Sequence, residues 1–419
     1  MYPPAVKPVV FVVEQERYDV EEIRAHARRL IPEAGVDVRD RSVFVKPSFV
    51  YPARPPRNRG VNTQPELLGG VVRALKDLGA ARVLVGEDCL VGPSQSGFAA
   101  MGVLPYLRGY AEPVFLSGEP RVQVRVPGAL VEDCFSLPRK FVDADLYFSL
   151  PKLKVNMYAG ITLSVKNSMG LIPAAERLTH HHWDIHRKIV DLYRARLPDF
   201  VLTDAVICGE GQGPMHAEAS SVGCLVAGPN GVAVDAVSCD LAGFVPEEVP
   251  HLAILAGMGE GTIDLSGIDI RGRDVLSRRR RVLARPRMDF DDCRGVVTVA
   301  AGPELACPEG CLGMVRGSLV RWAQAGSWRP LKGYTFIVGK GVAGIPEGAR
   351  PGKTIVVGDC ASAWSGQGTF IPGCPVPPMA ITYALTRKGV VGPLAARLRD
   401  LAWGMIASRL RTAFRRPRG

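Results

Sequence analysis

The feature that most constrains the fold is the order of apolar strands and amphipathic helices through the N-terminal half. VVFVVEQ (9–15) and SVFVKPSFV (42–50) are rich in Val and Phe and read as buried strands. PELLGGVVRALKDLGA (65–80) sets Leu68, Val71, Val72 and Leu75 at helical spacing and ends at a glycine. ARVLVGEDC (81–89) is a strand again, and ADLYFSLPKLK (144–154) is a strand running into a basic loop. FVLTDAVICGEGQGP (200–214) reads as a strand entering a glycine-rich turn, and residues 220–243 as a strand, a Pro-Asn-Gly turn and a helix. This alternation predicts an α/β fold: a mostly parallel sheet with covering helices.

A chain of 419 residues exceeds what one core usually serves. The expected division is an α/β domain over 1–275, a basic linker over 276–292, a smaller α/β unit over 293–386 and a basic amphipathic tail over 387–419. In the smaller unit, strands are expected at 295–300, 334–338 and 353–358, with a helix around 312–325. Charge follows this division. From Arg387 onward nine basic residues face one acid, which supplies +8 of the net +11. The basic excess therefore belongs mainly to the tail, and nucleic acid is not an expected partner. In 393–414, Leu394, Leu398, Leu401 and Met405 form one stripe, which suits packing on the body or on a partner, or peripheral contact with an anionic membrane. No window has the length and apolarity of a spanning helix, and the first residues lack the pattern of a signal peptide. The expected location is the cytoplasm, with membrane association through the tail.

Ten cysteines without an export signal do not suggest a disulfide framework. Cys89, Cys134, Cys208, Cys224, Cys239 and Cys293 are dispersed among apolar residues and read as small buried hydrophobes. Cys307, Cys311, Cys360 and Cys374 differ, because CPEGC supplies a close pair and two later Gly/Pro-rich loops supply one cysteine each. Four soft thiolates suit an iron–sulfur cluster, [4Fe–4S] above all, or structural zinc. The spacing favours the cluster, since zinc sites usually use two close pairs.

Lys152 and Lys154 alternate along a strand and so share one face. With Lys46 at another strand end, and Lys166 and Asn167 in a small, apolar segment, they can converge on a carboxylate or phosphate beyond the carboxyl edge of the sheet. HHHWDIH (180–186) sets His182 and His186 one helical turn apart, suited to substrate or proton handling, to a metal, or to a polar surface. Glu210 in the glycine-rich turn is a candidate general base. Asp235 is expected to cap or start a helix or to line the site, and Asn156 to contact substrate.

FVKPSFV, PELLGGVVRALKDLGAARVLVGED, LPKLKVNMYAGITLSVKNSMGLIP, VDLYRARLPDFVLTDAVICGEGQGP and GVAVDAVSCDLAG, in that order, resemble the domain of unknown function 362 family. The resemblance implies the α/β fold, and in many members an accompanying cluster segment. Where the family commonly shows a histidine two residues after Lys-Leu-Lys, this chain has Asn156, so that histidine's role is not carried over. A looser likeness of the sheet domain to nickel-pincer lactate racemase is one of fold alone. VGDCASAWSG and FIPGCPVPPMAITYAL are similar to the cluster-binding end of the small iron–sulfur subunits of hydrogenases and respiratory complex I, although here the turn reads Cys-Pro-Val-Pro-Pro.

Three functions are consistent with these features. The first is an oxidoreductase or electron-transfer component with an anionic substrate and a redox partner protein. The second is a non-redox lyase or isomerase whose cluster is structural or a Lewis acid. The third is a factor that carries metal or cluster to another protein. No dinucleotide or P-loop motif is present, so nicotinamide and ATP are not implied.

Overall fold

The computed structural model describes residues 7–50, 56, 58–89, 92–173, 176–177, 184–301, 311–324, 328–376 and 378–390. The chain divides into two compact units, Met1–Ala174 with His186–Pro286, and Ala175–Ile185 with Arg287–Gly419.

The first unit is built on a ten-stranded sheet. Its strands are β1 (Val9–Glu14), β2 (Ser42–Pro47), β3 (Arg82–Glu87), β4 (Glu112–Phe115), β7 (Leu146–Leu150), β8 (Lys152–Asn156), β9 (Gly160–Thr162), β10 (Phe200–Gln212), β11 (His216–Gly228) and β12 (Asp269–Arg271). Between β4 and β7 the chain forms a separate two-stranded ribbon, β5 (Arg121–Arg125) with β6 (Cys134–Pro138). The main order is β12-β1-β11-β10-β7-β2-β3-β4, with β8 beside β10 and β9 beside β8. From β10 through β7, β2 and β3 to β4 all pairs are parallel, as the strand–helix alternation predicts. The other side differs, because β11 runs antiparallel to both β1 and β10.

Helices Val20–Glu33 and Pro65–Asp77 lie between successive parallel strands. The first is started by Asp19, whose carboxylate accepts from Glu21 N and Glu22 N at 2.9 and 3.0 Å. The second starts at Pro65 and buries Leu67, Leu68, Val71, Val72 and Leu75 in the core. Each such side chain contributes roughly 1.5–3 kcal/mol of hydrophobic stabilisation.

The glycine-rich GEGQ segment is strand, not turn. β10 continues through it, with Glu210 opposite Glu218, and the turn comes at 213–215. Residues 276–292, expected as a linker, begin inside helix Arg273–Arg279, whose Arg279 binds Glu14 and Glu16.

The second unit has a four-stranded parallel sheet, β13 (Val297–Ala301), β14 (Tyr334–Val338), β15 (Thr354–Val357) and β16 (Thr369–Ile371), paired in chain order. Helices Gly313–Gln324 and Pro378–Arg387 complete it. The tail 393–414 lies outside the described residues, and no helix among the described residues is long and apolar enough to cross a membrane.

Candidate functional site

The lysines gather where the sequence places them, at the carboxyl ends of parallel strands. Pro151 interrupts the ladder between β7 and β8, and its carbonyl accepts from Asp204 N at 2.8 Å. Beyond it, Lys152 pairs with Asp204 and Lys154 with Gly209, so the three residues 152–154 of β8 span the six residues 204–209 of β10. This bulge accompanies complete burial of both lysines. Lys46 on β2 is also fully buried, and Lys166 is 8% exposed.

Burying an ammonium is costly unless it is paired and hydrogen-bonded. Lys46 Nζ lies 2.7 Å from Glu87 Oε2 at the end of β3, and also donates to Pro47 O and Asn167 Oδ1 at 3.1 Å. Lys152 Nζ lies 3.0 Å from Asp204 Oδ2 and donates to the Tyr18 hydroxyl at 2.7 Å. That hydroxyl donates in turn to Asp204 Oδ1 at 2.8 Å. Burial, and then the Asp204 charge, hold the Tyr18 phenol well above its usual range. Lys154 is placed differently. Its Nζ donates to Ser48 Oγ at 2.9 Å and Val61 O at 2.6 Å, and among the described residues no carboxylate pairs with it. Burial, then repulsion from Lys166 and Lys152, holds it well below the ordinary lysine range.

Gly170 closes this cluster. A Cβ there would stand 2.2 Å from Glu87 Oε1 and 2.6 Å from Lys46 Nζ, so any side chain would displace the ion pair. The Val-Lys-Asn-x-x-Gly block thus reflects packing against Lys46 and Glu87.

The other expected site residues fall into structural roles. Asn167 Nδ2 donates to Lys46 O and Ser149 Oγ, fixing the strand ends. Asn156 Oδ1 accepts from Tyr158 N and Ala159 N, closing the turn between β8 and β9. Glu210 accepts from Ala284 N at 3.0 Å, which ties β10 to the segment after Arg273–Arg279. Asp235 lies inside helix Gly231–Leu241 and caps a different helix, Ser164–Asn167, by accepting from Ser164 N and Val165 N at 2.8 Å. Burial pushes its carboxyl up to about 8. His186 is held by His251, with Nδ1 atoms 3.0 Å apart and rings stacked. His182 and Cys307 lie outside the described residues.

In the second unit, Cys360 and Cys374 each follow a strand end by three residues, and those ends, Val357 and Ile371, are register partners. The two loops are laced together: Asp359 N donates to Gly373 O at 3.1 Å, and Gly373 N donates to Asp359 Oδ1 at 2.9 Å. Cys311, just before helix Gly313–Gln324, joins them from the other side, where its Sγ accepts from Val376 N at 3.5 Å. Gly358 has φ +92°, and a Cβ on it would lie 2.8 Å from Cys311 Sγ. Cys311 is buried, whereas Cys360 and Cys374 are exposed. Among the described residues no three His, Cys, Asp or Glu side chains are grouped closely enough to hold a metal ion. Cys89, Cys208, Cys224, Cys239 and Cys293 are buried, as free small hydrophobes should be, and Cys134 is half-buried.

Residues 43–240 match the family model described as "Domain of unknown function (DUF362)". This match covers just under half of the chain. The chain is also 28% identical over 264 residues to the thylakoid-associated protein sll1697 of Synechocystis sp., a match covering 60% of this chain and 79% of that one. Two solved structures are similar at a TM-score of 0.35. One is the lactate racemase apoprotein of Thermoanaerobacterium thermosaccharolyticum, with 14% identity over 54% of each chain. The other is a protein of Thermotoga maritima, with 13% identity over 55% of this chain and 60% of that one. The chain therefore spans little more than half the length of either.

The matched segment contains all four lysines and both buried carboxylate partners, but not Tyr18. Sequence reasoning missed Glu87, Asp204 and Tyr18. The available signal was an acid set in an otherwise apolar strand, in VLVGE and VLTDAV, since such an acid is rarely buried without a cation.

Proposed function

We propose that the chain is an iron–sulfur protein acting as an oxidoreductase or electron-transfer component, with an anionic small molecule bound at the lysine cluster of the segment that matches DUF362. One observation carries the cluster: loops bearing Cys311, Cys360 and Cys374 converge at the carboxyl end of one small parallel sheet, with Cys311 Sγ against Gly358 and Val376 N. The donor set is of soft thiolates, and glycine backbone beside a sulfur leaves room that a side chain would fill. Cys307, Cys311, Cys360 and Cys374 would hold the cluster, most simply a [4Fe–4S]. Such a group supplies one-electron transfer at a potential set by burial and by hydrogen bonds to sulfur. The chain's own contribution is to hold the thiols on strand-end loops and to donate a backbone N–H toward Cys311.

The anion site is supported by the gathering of buried amines at strand ends. Lys46 and Lys152 each meet a buried carboxylate, Glu87 and Asp204, and Lys154 lies fully buried beside them. Amino groups held together in this way suit a carboxylate or phosphate.

The test is anaerobic purification with iron and sulfide analysis, followed by visible absorption before and after dithionite. A broad absorption that bleaches on reduction, with iron lost on Cys311→Ser or Cys374→Ser, is the expected result. Stoichiometric zinc without iron would end the proposal. Exposure of Cys360 and Cys374 favours a second reading, a carrier that passes its cluster to another protein. Rapid loss of iron to a mild chelator, together with transfer to an apo-ferredoxin, would select it. The thylakoid association of the Synechocystis relative is compatible with peripheral membrane contact through 393–414, which vesicle co-sedimentation with and without that segment would test.

A further inference from the structure

The anion site just proposed contains a group whose hydrogen bonding differs from its neighbours'. Lys46 and Lys152 each meet a carboxylate. Among the described residues Lys154 meets two neutral oxygens, the Ser48 hydroxyl and the Val61 carbonyl, and no carboxylate. An ammonium carries three N–H groups, all of which need acceptors when buried. A neutral amine carries two N–H groups and a lone pair. Two acceptors satisfy its donors and leave the lone pair available. Burial disfavours a charge on Lys154, and of the charges around it Lys166, Lys152 and Lys46 oppose a further positive charge while Glu87 favours one, with the two largest, Lys166 and Lys152, opposing. A lysine desolvated beside other cations is the arrangement that yields an amine nucleophile at neutral pH.

A second, independent observation comes from the turn that supplies the Val61 carbonyl. Asn58 is 1% exposed, and neither its Nδ2 nor its Oδ1 has a hydrogen-bond partner. Its carbonyl is engaged, accepting from Val61 N and Asn62 N at 2.9 Å. Arg59 Nε is buried and likewise lacks a partner, and the Arg59 charge is close enough to Lys152 to act on it. Buried amide and guanidinium groups without partners are costly, because they forgo the hydrogen bonds they make to water. Here they lie on the same turn as the acceptor of the Lys154 amine. Two unsatisfied donors, Asn58 Nδ2 and Arg59 Nε, suit a carboxylate.

We propose that Lys154 is a nucleophilic amine that condenses with the carbonyl carbon of a small 2-oxo acid, whose carboxylate is received by Asn58 and Arg59. This assignment rests on the anion site proposed above and names its ligand class. In the step, the Nζ lone pair attacks the carbonyl carbon and a C=N bond replaces C=O. Both amine hydrogens leave with the oxygen as one water, and no electrons are gained or lost. Protonation of the imine nitrogen would then draw electrons from the carbon next to it and labilise a bond there.

The full-length protein is incubated at neutral pH with glyoxylate, pyruvate or 2-oxoglutarate and sodium borohydride, then digested and mapped by mass spectrometry. The expected result is a reduced adduct on Lys154, with Lys46, Lys152 and Lys166 unmodified. Adducts only on exposed lysines, with Lys154 unmodified for every acid, would overturn the assignment. Melting curves with acetate, inorganic phosphate and the same acids separate the two readings. A rise in melting temperature without a Lys154 adduct removes the amine chemistry and keeps the anion site. Neither a rise nor an adduct removes both. Lys154→Arg puts a guanidinium without a nucleophilic lone pair in the same place, so its melting temperature should still rise with anions while the adduct disappears. Asn58→Leu fills the amide's place with an apolar group of similar size, so it should lower adduct yield several-fold without unfolding the protein.

Discussion

Lys46→Met tests whether the lysine cluster is held by its own ion pairs. In the wild type the Lys46 ammonium is fully buried 2.7 Å from Glu87 Oε2, and Glu87 is 2% exposed. Methionine matches the length of the stem but removes the charge and three donated hydrogen bonds, to Glu87, Pro47 O and Asn167 Oδ1. Glu87 would retain Asp88 N at 2.8 Å and Phe49 N at 3.3 Å, with no cation in contact. Breaking a buried pair from one side costs about 3–5 kcal/mol, because the remaining charge stays desolvated. An exposed pair such as Arg125–Asp133, with side chains 79% and 71% accessible, is worth about 0–1 kcal/mol, so Arg125→Ala is the control. The decisive comparison is the double variant Lys46→Met/Glu87→Gln, which removes the stranded charge and should recover about 1 kcal/mol or more of the single variant's loss. Urea unfolding of these proteins and of the Glu87→Gln single variant, followed by circular dichroism, measures the differences. A Lys46→Met protein within about 1 kcal/mol of the wild type, or a double variant as unstable as the two single losses added, would refute the account.

Asp235 gives a pH prediction. Its buried carboxyl titrates at about 8 in the fold, against about 3.9 in an unfolded chain, so between those values the folded protein holds a proton that the unfolded chain has released. Stability should fall with rising pH through that window, by up to about 1.4 kcal/mol per unit, and level off above it. Asp235→Asn should remove this slope, and parallel pH series of melting temperature for the two proteins would contradict it. His251 acts at the acid end. Burial first, then the neighbouring His186 and Lys166, holds it well below the usual imidazole value, so its contribution is complete above about pH 6.5 and is lost as pH falls below that. His251→Gln should flatten the acid limb of the same melting series; an unchanged limb would show that other groups set it. Gly358→Ala places a methyl group 2.8 Å from Cys311 Sγ at a backbone φ of +92°. It should lower the iron content of anaerobically purified protein while leaving the first unit's circular dichroism unchanged, and full iron loading would refute the proposed site.

Strands β2, β3, β7 and β10 of the parallel half were legible because they hold apolar runs, whereas β4, with the sequence EPVF, carries no such signal. The antiparallel side was not legible. β10 continues through Gly209, Glu210, Gly211 and Gln212, and such a composition reads as a turn unless the partner β11 is known. The three-residue strands β9, β12 and β16 are too short to carry a period. The convergence of Lys46, Lys152 and Lys154 could be inferred because a lysine in an apolar strand end has few other uses. Their carboxylate partners could not be assigned from spacing, since Glu87 and Asp204 are brought to them by crossover connections. Asp235 shows the same limit. Capping was the right chemistry for it, but the helix it caps begins 71 residues earlier in the chain.

The bulge that brings Asp204 to Lys152 is completed by Tyr18, which lies before the first residue of the family match. The limits of the family match and the limits of the folding unit are therefore different. A fragment cut at 43–240 would lose β1, leave the long flank of β11 with an open row of backbone donors and acceptors, and strip the Lys152–Asp204 pair of its shared hydroxyl. Such a fragment should self-associate through that flank. Expression trials that follow the family limits would meet insoluble material for a reason unrelated to the chemistry of the site.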